Sequence, residues 1–321
     1  MNGYDPYRND TYAHQWNFTT EWALSQNIGL SVAYVGDHGL NLRRQLNINY
    51  PNALTKVRPI VGFSNVNIEY NNGQSSYNGL QVSLKQRLHS GVQYSLNYTW
   101  AHAIDDVQDY GIWVTAPQDN DNLRAERGNS SDDIRHTVSY DVLYELPFGH
   151  GKRFLGNTKR VLGTVASGWQ VSSVGLIRTG IAATVGIGVN TSGNTNTTNQ
   201  RPNYNAGVDQ YLPNKSVNGW LNPAAFSLPA AGTYGNLGRN TFYGPGYAQE
   251  DLSLIKNTSF GEGSKALQFR AEVFNVFNHP NFDEPVLTYN TRTFGTILNT
   301  FGRTLGSGVN RDIQLALKLT F

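Results

Sequence analysis

Ile313-Gln-Leu-Ala-Leu-Lys-Leu-Thr-Phe321 ends the chain and decides how the rest is read. Ile313, Leu315, Leu317, Leu319 and Phe321 fall on one side of an extended backbone. Gln314, Ala316, Lys318 and Thr320 fall on the other. Successive side chains of a strand point to opposite faces, so strict alternation means one apolar face and one wet face. Soluble domains seldom finish on such a strand with an aromatic as the last residue. A strand that closes a membrane barrel does.

The composition agrees with a barrel in lipid. The 321 residues carry 15% charged residues, against about a quarter in ordinary soluble domains. Glycine is abundant (33 residues), aromatics reach 12%, and 18 of them are tyrosine. Cysteine is absent, which excludes a disulfide framework and a thiolate metal site. The net charge is +2 and the basic residues do not cluster, so nucleic acid is not an expected partner. No apolar run approaches the roughly 18–20 residues of a membrane-spanning helix. Mean hydropathy is negative. A barrel tolerates that, because apolar and polar residues alternate and average out.

Alternation recurs along the chain. Trp16, Phe18, Thr20, Trp22 and Leu24 share one face, and Ser25-Gln-Asn27 turns into a second strand with Ile28, Leu30, Val32 and Tyr34. A third strand has Leu80, Val82 and Leu84 on one side, and His89-Ser-Gly91 turns it. The fourth is the clearest, with Val92, Tyr94, Leu96, Tyr98 and Trp100 opposed to Gln93, Ser95, Asn97 and Thr99. The fifth carries Val138, Tyr140, Val142, Tyr144 and Leu146. The sixth begins at Gly168-Trp-Gln170 with a weaker period. The seventh spans about Glu250 to Ser259, and Glu262-Gly-Ser264 turns it. The eighth runs from Leu267 to Phe277, and its phase slip at Phe274-Asn275 predicts a bulge. The ninth is the terminal strand.

Connection lengths alternate too. Tight turns are separated by long loops at about 39–74, 105–132, 181–247 and 279–309, with a medium connection at 147–167. Val161–Ala166 within that connection is expected to form a short helical or extended stretch. Loops beyond about 12–15 residues are uncommon in compact soluble domains. Short turns at one end and long loops at the other is the layout of an outer-membrane barrel. The fold expected is therefore all-β: an antiparallel up-and-down transmembrane β-barrel, here a partial barrel of about nine strands. Long loops are extracellular, short turns periplasmic, and Phe321 lies at the periplasmic rim. Bacterial barrels have even strand numbers. The odd count, with no secretory signal at Met1, predicts that part of the barrel lies outside this chain. Trp22, Tyr144, Trp169, Phe269 and Phe321 toward one rim, with Tyr34, Tyr98 and Trp100 toward the other, are expected to form aromatic girdles. The Asn- and Thr-rich segment 190–199 is expected to be flexible and solvated.

Several stretches resemble the C-terminal barrel half of TonB-dependent outer-membrane receptors, in particular the Oar-like group that carries a carboxypeptidase-regulatory-like domain. They include Trp16-Asn-Phe18 with Val32-Ala-Tyr-Val-Gly36, Asp133-Ile-Arg-His136 through Phe148-Gly149, and Gly168-Trp-Gln170 with Arg178-Thr-Gly180. Asn222-Pro-Ala-Ala-Phe226, Gly235-Asn-Leu-Gly-Arg-Asn240 and Gly244-Pro-Gly246 follow. The strongest are Gln268-Phe-Arg-Ala-Glu-Val-Phe-Asn-Val-Phe-Asn278 and the terminal Arg311–Phe321. The resemblance implies that 1–321 is the C-terminal portion of a larger barrel plugged by an N-terminal domain absent here. It implies coupling to TonB through that plug. It also implies, as partners, outer-membrane lipid, the barrel-assembly machinery and an unidentified ligand. The assembly signal maps onto Gln314, Ala316, Leu319 and Phe321; Ala316 stands where Gly is common and Leu319 where an aromatic is common.

No catalytic residue, cofactor site or metal site is expected. The loop 105–133 holds Asp105, Asp106, Asp109, Asp119, Asp121, Glu126, Asp132 and Asp133, but their spacing does not match an EF-hand. A solvated acidic loop is preferred over a calcium site. His102 and His136, on neighbouring strands, are read as hydrogen-bonding residues at the loop base rather than metal ligands. There is no Gly-x-Ser-x-Gly elbow, and Gly149-His-Gly-Lys-Arg is too short for a phosphate loop. Arg270 and Glu272 project to the inner side of their strand. They are read either as plug contacts or as an ion pair of the lumen wall, because charges on the lipid face cost several kcal/mol. Function is thus expected to be energy-coupled uptake across the outer membrane, without enzymatic activity. The alternatives are an Oar-like adhesion or structural barrel and a secreted β-rich carbohydrate-binding module.

Overall fold

The computed structural model describes residues 1–51, 55, 57–107, 116–157, 160–194, 199–260, 265–302 and 310–321. Nine long strands form one antiparallel meander: β1 (Tyr12–Ala23), β2 (Ile28–Asn47), β3 (Asn67–His89), β4 (Val92–Asp105), β5 (His136–Glu145), β6 (Trp169–Arg178), β7 (Tyr247–Ser259), β8 (Ala266–Phe274) and β9 (Asp312–Thr320). Each strand pairs with its sequence neighbour, and the sheet is not closed: β1 and β9 are its two ends. Two short additions were not expected from the sequence. Asn2–Tyr4 pairs in parallel with β3, and Gly128–Asn129 pairs with β4.

Directly opposed residues of antiparallel strands share a face. Thr20, Val32, Val82, Tyr98, Val138 and Ile177 therefore form one row across β1 to β6. Val171, Leu254, Ala271 and Leu315 continue the same face across β6 to β9. On the other face run Glu21, Ser31, Ser83, Asn97 and Ser139, and further on Ser172, Ser253, Glu272 and Gln314. The sheet thus has a continuous apolar side and a mainly polar side, which Leu143, Val174 and Leu176 interrupt at β5 and β6. The apolar side is uncovered by protein: Phe18 is 69% exposed and Leu315 68%. A soluble sandwich would bury that side against a second sheet. Here two glycines are covered by rings from the neighbouring strand, Trp16 over Gly36 and Tyr140 over Gly175, where a Cβ would overlap the aromatic atoms.

Several expectations are corrected. β2 and β3 have 20 and 23 residues, so the loop expected at 39–74 is mostly a long hairpin and the connection is 48–66. At about 3.3 Å per residue these strands far exceed an apolar band of about 25 Å and project beyond it. β8 ends at Phe274 instead of Phe277, because Asn275 takes a left-handed φ of 49° and turns the chain. The phase slip is a strand end, not a bulge. A register shift occurs instead at Leu40–Leu42 of β2, beside Asn41 at φ 56°. Turn 262–264 lies outside the described residues.

The medium connection holds a helix, α1 (Arg160–Ala166), which ends at Gly168 with φ 76°, a backbone conformation suited to glycine. The main buried core is not in the wall but at the loop end. Ala183, Val185, Leu221, Ala225, Phe226, Leu237, Phe242 and Phe294 pack together there. They come from the loop after β6, which folds into three small two-stranded ribbons, and, for Phe294, from the loop after β8. Of the segment 190–199, expected to be solvated, residues 191–194 are buried or half-buried and belong to this unit. Gln200 is fully buried, and its side chain donates to Asn190 Oδ1 (2.8 Å) and accepts from Thr191 N (3.0 Å) and Ser192 N (3.2 Å); residues 195–198 lie outside the described residues.

Candidate functional site

Two surfaces can act on a solute: the polar face of the wall and the cap that the loops build at one end. The polar face carries Glu21, Lys85, Asp141, Glu145, Asp251, Arg270, Glu272 and Lys318. On β6 to β9 the apolar face has two charged residues, Glu250 and Lys256. Glu250 accepts from Ser173 Oγ at 3.0 Å. Polar side chains link strand to strand along the wall. Gln268 Nε2 donates to Asn257 Oδ1 (2.8 Å), Asn257 Nδ2 to Gln170 Oε1 (3.4 Å) and Gln170 Nε2 to Glu145 Oε1 (3.5 Å). A concavity of about 730 Å³ opens on this face near the short turns, bounded by Glu21, Ser31, Ser83, Lys85, Ser95 and Asp141. The polar face is therefore the lumen side.

Arg270 and Glu272 lie on it, opposite Ala316 and Gln314. Arg270 Nη1 stands 3.5 Å from Glu272 Oε1, and its buried Nε has no protein partner. Of the residues assigned to the assembly signal, Gln314 and Ala316 lie on the polar face and Leu319 on the apolar face opposite Leu267. Phe321 follows β9 and is exposed.

The acidic loop is solvated only in part: Asp121 and Asp132 are exposed, whereas Asp105, Glu126 and Asp133 are buried. These three and Asp106 pair with arginines. Arg201 is buried and donates through Nη1 to both oxygens of Glu126 (3.0 and 2.9 Å), through Nε to Leu237 O (2.8 Å) and through Nη2 to Ala125 O (3.2 Å). Arg239 pairs with Asp105 and donates from Nε to Glu126 O at 2.7 Å. Arg44, 2% exposed, meets Asp106 at 2.8 Å. Asp133 accepts from Ala103 N (2.7 Å), Arg135 (2.9 Å) and the Tyr243 hydroxyl (2.7 Å). Burial and the Asp133 carboxylate hold the Tyr243 hydroxyl above its ordinary pKa. Asp121 accepts from the Tyr50 hydroxyl at 2.6 Å, and burial first and that carboxylate second push Tyr50 up. Asp109 lies outside the described residues.

These pairs join loops from three strand connections, those after β2, β4 and β6, into one cap. Sequence reading saw the acids but not their distant partners, because Arg44, Arg201 and Arg239 are about 60 to 134 positions away. Among the described residues no group of three or more His, Asp or Glu is placed to hold a metal. His102 and His136 do not meet: His102 Nε2 lies 3.1 Å from Asn129 Oδ1, and His136 Nδ1 lies 2.9 Å from the Tyr98 hydroxyl.

Where the cap meets the polar face, a cavity of about 190 Å³ is lined by Arg178, Tyr247, Phe282, Glu284 and Phe301. The Arg178 guanidinium stands over the Tyr247 ring (5.7 Å) and the Phe301 ring (5.3 Å). Burial, with Asp283 adding to it, raises the Glu284 carboxyl to about 6. The fold thus favours the protonated acid. Its contribution to stability is complete in mild acid and is lost as pH rises through about 6. Hydrogen exchange of residues 280–302, corrected for intrinsic rate, should be slower at pH 5 than at pH 7.5. Glu284→Gln should abolish that difference; slower exchange at the higher pH would contradict the assignment.

Comparison with known proteins fits this geometry. Residues 1–314 match the model of the family described as "Outer membrane beta barrel domain". No curated protein matches the chain. Among solved structures, the outer membrane transporter YddB from Escherichia coli superposes with a TM-score of 0.53 at 11% identity, covering 96% of this chain and 32% of that one. The siderophore receptor PiuA from Acinetobacter baumannii gives 0.48 at 10% identity, covering 95% and 28%. The chain spans about a third of the length of these structures. The likeness to YddB concerns the fold. With the family match over nearly its whole length, the chain belongs to the outer membrane beta barrel domain family and is a protein of the bacterial outer membrane.

Proposed function

We propose that this chain is the C-terminal wall and loop cap of a TonB-dependent receptor, which captures a ligand at its outer face and passes it along a plugged lumen. The observation that carries the reading is the two-sided meander: a lipid-ready face outside, a hydrogen-bonded polar face inside, and an ordered cap over one end. The open sheet supports a larger barrel, since a spanning sheet in lipid leaves no edge unpaired. The neighbour YddB, described as an outer membrane transporter, adds support at the level of fold. Arg270 and Glu272 are assigned to plug contact, because both lie on the polar face and the Arg270 side chain is 43% exposed there. Gln314, Ala316, Leu319 and Phe321 are assigned to recognition by the assembly machinery. Within the family resemblance, Oar-like membership is the finer assignment.

Energy coupling separates transport from adhesion. A strain lacking this protein and a strain lacking TonB should fail on the same nutrient across a panel of iron and carbon sources. A growth or attachment defect of the first strain that has no counterpart in the second would sink the transport reading and favour an adhesion or structural role.

A further inference from the structure

The connection between β5 and β6 stands apart from the other turns at its end of the barrel. It is long, it contains α1, and it carries an unpartnered apolar side. At 100° per residue, Val161, Leu162 and Val165 share one arc of the helix, and Gly163 lies roughly opposite. Val161 is 76% exposed and Leu162 64%, whereas Gly163 is buried. The helix therefore turns its small residue to the protein and its large apolar residues away.

Its position is fixed by two side chains of the apolar face. Trp169, on β6, donates from Nε1 to Val165 O at 2.8 Å. Lys256, opposite Trp169 on β7, reaches Thr164 O at 2.9 Å and also Ser167 O. Both side chains point away from the lumen. They can reach the end of α1 only if it lies at the outer side of the rim, beside the lipid-facing wall. A cation at the carbonyl end of a helix is also electrostatically favoured.

The charge of the segment is one-sided as well. From Pro147 to Gly168 the sequence has Lys152, Arg153, Lys159 and Arg160 and no acidic residue. This is a local exception to the even spread of charge along the chain. Lys152 is paired with Glu145 of the wall (3.2 Å), and Arg153 stands over the Phe154 ring (5.5 Å). An apolar arc continuous with a lipid-facing surface, in a stretch of sequence whose charges are all basic, fits a phospholipid leaflet with anionic headgroups.

We propose that α1 is an interfacial anchor whose Val161, Leu162 and Val165 side lies in the periplasmic phospholipid leaflet of the outer membrane. It rests on the membrane reading of the wall. The helix caps the rim where β5, β6 and β7 leave the hydrocarbon, and Trp169 and Lys256 tie it to the barrel. Anchoring there would hold the barrel at a fixed depth on that side.

These 321 residues contain no cysteine, so an introduced one is unique within them; any cysteine elsewhere in the receptor would first be replaced. Leu162→Cys, Leu317→Cys and Gln26→Cys would each be labelled with a small fluorophore in the full chain. The proteins would be reconstituted in vesicles of phosphatidylethanolamine and phosphatidylglycerol. Leu317 is the lipid control on the apolar face, and Gln26 is the water control in a short turn at the same end. Brominated acyl chains should quench the labels at Leu162 and Leu317, and aqueous iodide should quench only the label at Gln26. Iodide quenching at Leu162 with lipid quenching intact at Leu317 would overturn the anchor and leave the wall in lipid; the helix side would then await a protein partner. Iodide quenching at Leu317 would overturn the membrane reading and the anchor with it.

Discussion

Glu126→Ala is expected to open the loop cap while leaving the wall folded. Arg201 is buried and gives Glu126 both of its bidentate bonds. Removing the carboxylate strands a guanidinium away from water, which costs about 3–5 kcal/mol. The loss should fall on the cap, because Arg201 also holds Leu237 O and Ala125 O and so joins two loops. Hydrogen exchange should accelerate in residues 116–135 and 199–243 and stay unchanged in β4 and β6. Replacing both partners together, Glu126→Met with Arg201→Met, should recover much of the loss, since no charge is then left unpaired. Equal protection in Glu126→Ala and the parent would show that the pair does not hold the cap.

The second large effect concerns the face of β9. Leu315 and Ala316 are neighbours in mid-strand and point to opposite sides. Leu315→Arg puts a charge into hydrocarbon, at a cost of about 2–4 kcal/mol near the midplane. Ala316→Arg puts the same charge into the lumen beside Arg270 and Glu272, where water and the Glu272 carboxylate can meet it. Folded protein recovered from the outer membrane, measured as the heat-modifiable fraction, should fall sharply for Leu315→Arg and little for Ala316→Arg. Equal recovery of the two would contradict the assignment of faces.

The wall was legible in the sequence because lipid on one side and water on the other force alternation. Phe18, Tyr34, Leu80 and Trp100, read separately as apolar positions of four strands, stand opposite one another in the sheet. The same logic placed Arg270 and Glu272 on the inner face. Alternation fails where both faces are wet. Asp37 to Asn47 and Asn67 to Ser76 are paired strand, yet His38, Asn41, Asn71 and Asn72 carry no apolar period. These segments therefore read as loop. The cap was hidden for another reason. Its order comes from Arg44, Arg201 and Arg239 finding carboxylates in other loops, and such pairings leave no local pattern. α1 is two turns long, too short for its period to separate it from an extended stretch.

The central claim, that the nine-stranded sheet is a membrane wall with one face in lipid, is tested most directly by cysteine scanning of β9 from residue 312 to residue 320 in membranes. Reactivity toward a water-soluble maleimide should alternate with period two. Residues 314, 316 and 318 should react from the lumen, and residues 313, 315, 317 and 319 should be protected and instead be quenched by brominated lipid. Uniform reaction with the aqueous reagent along both faces would contradict the account.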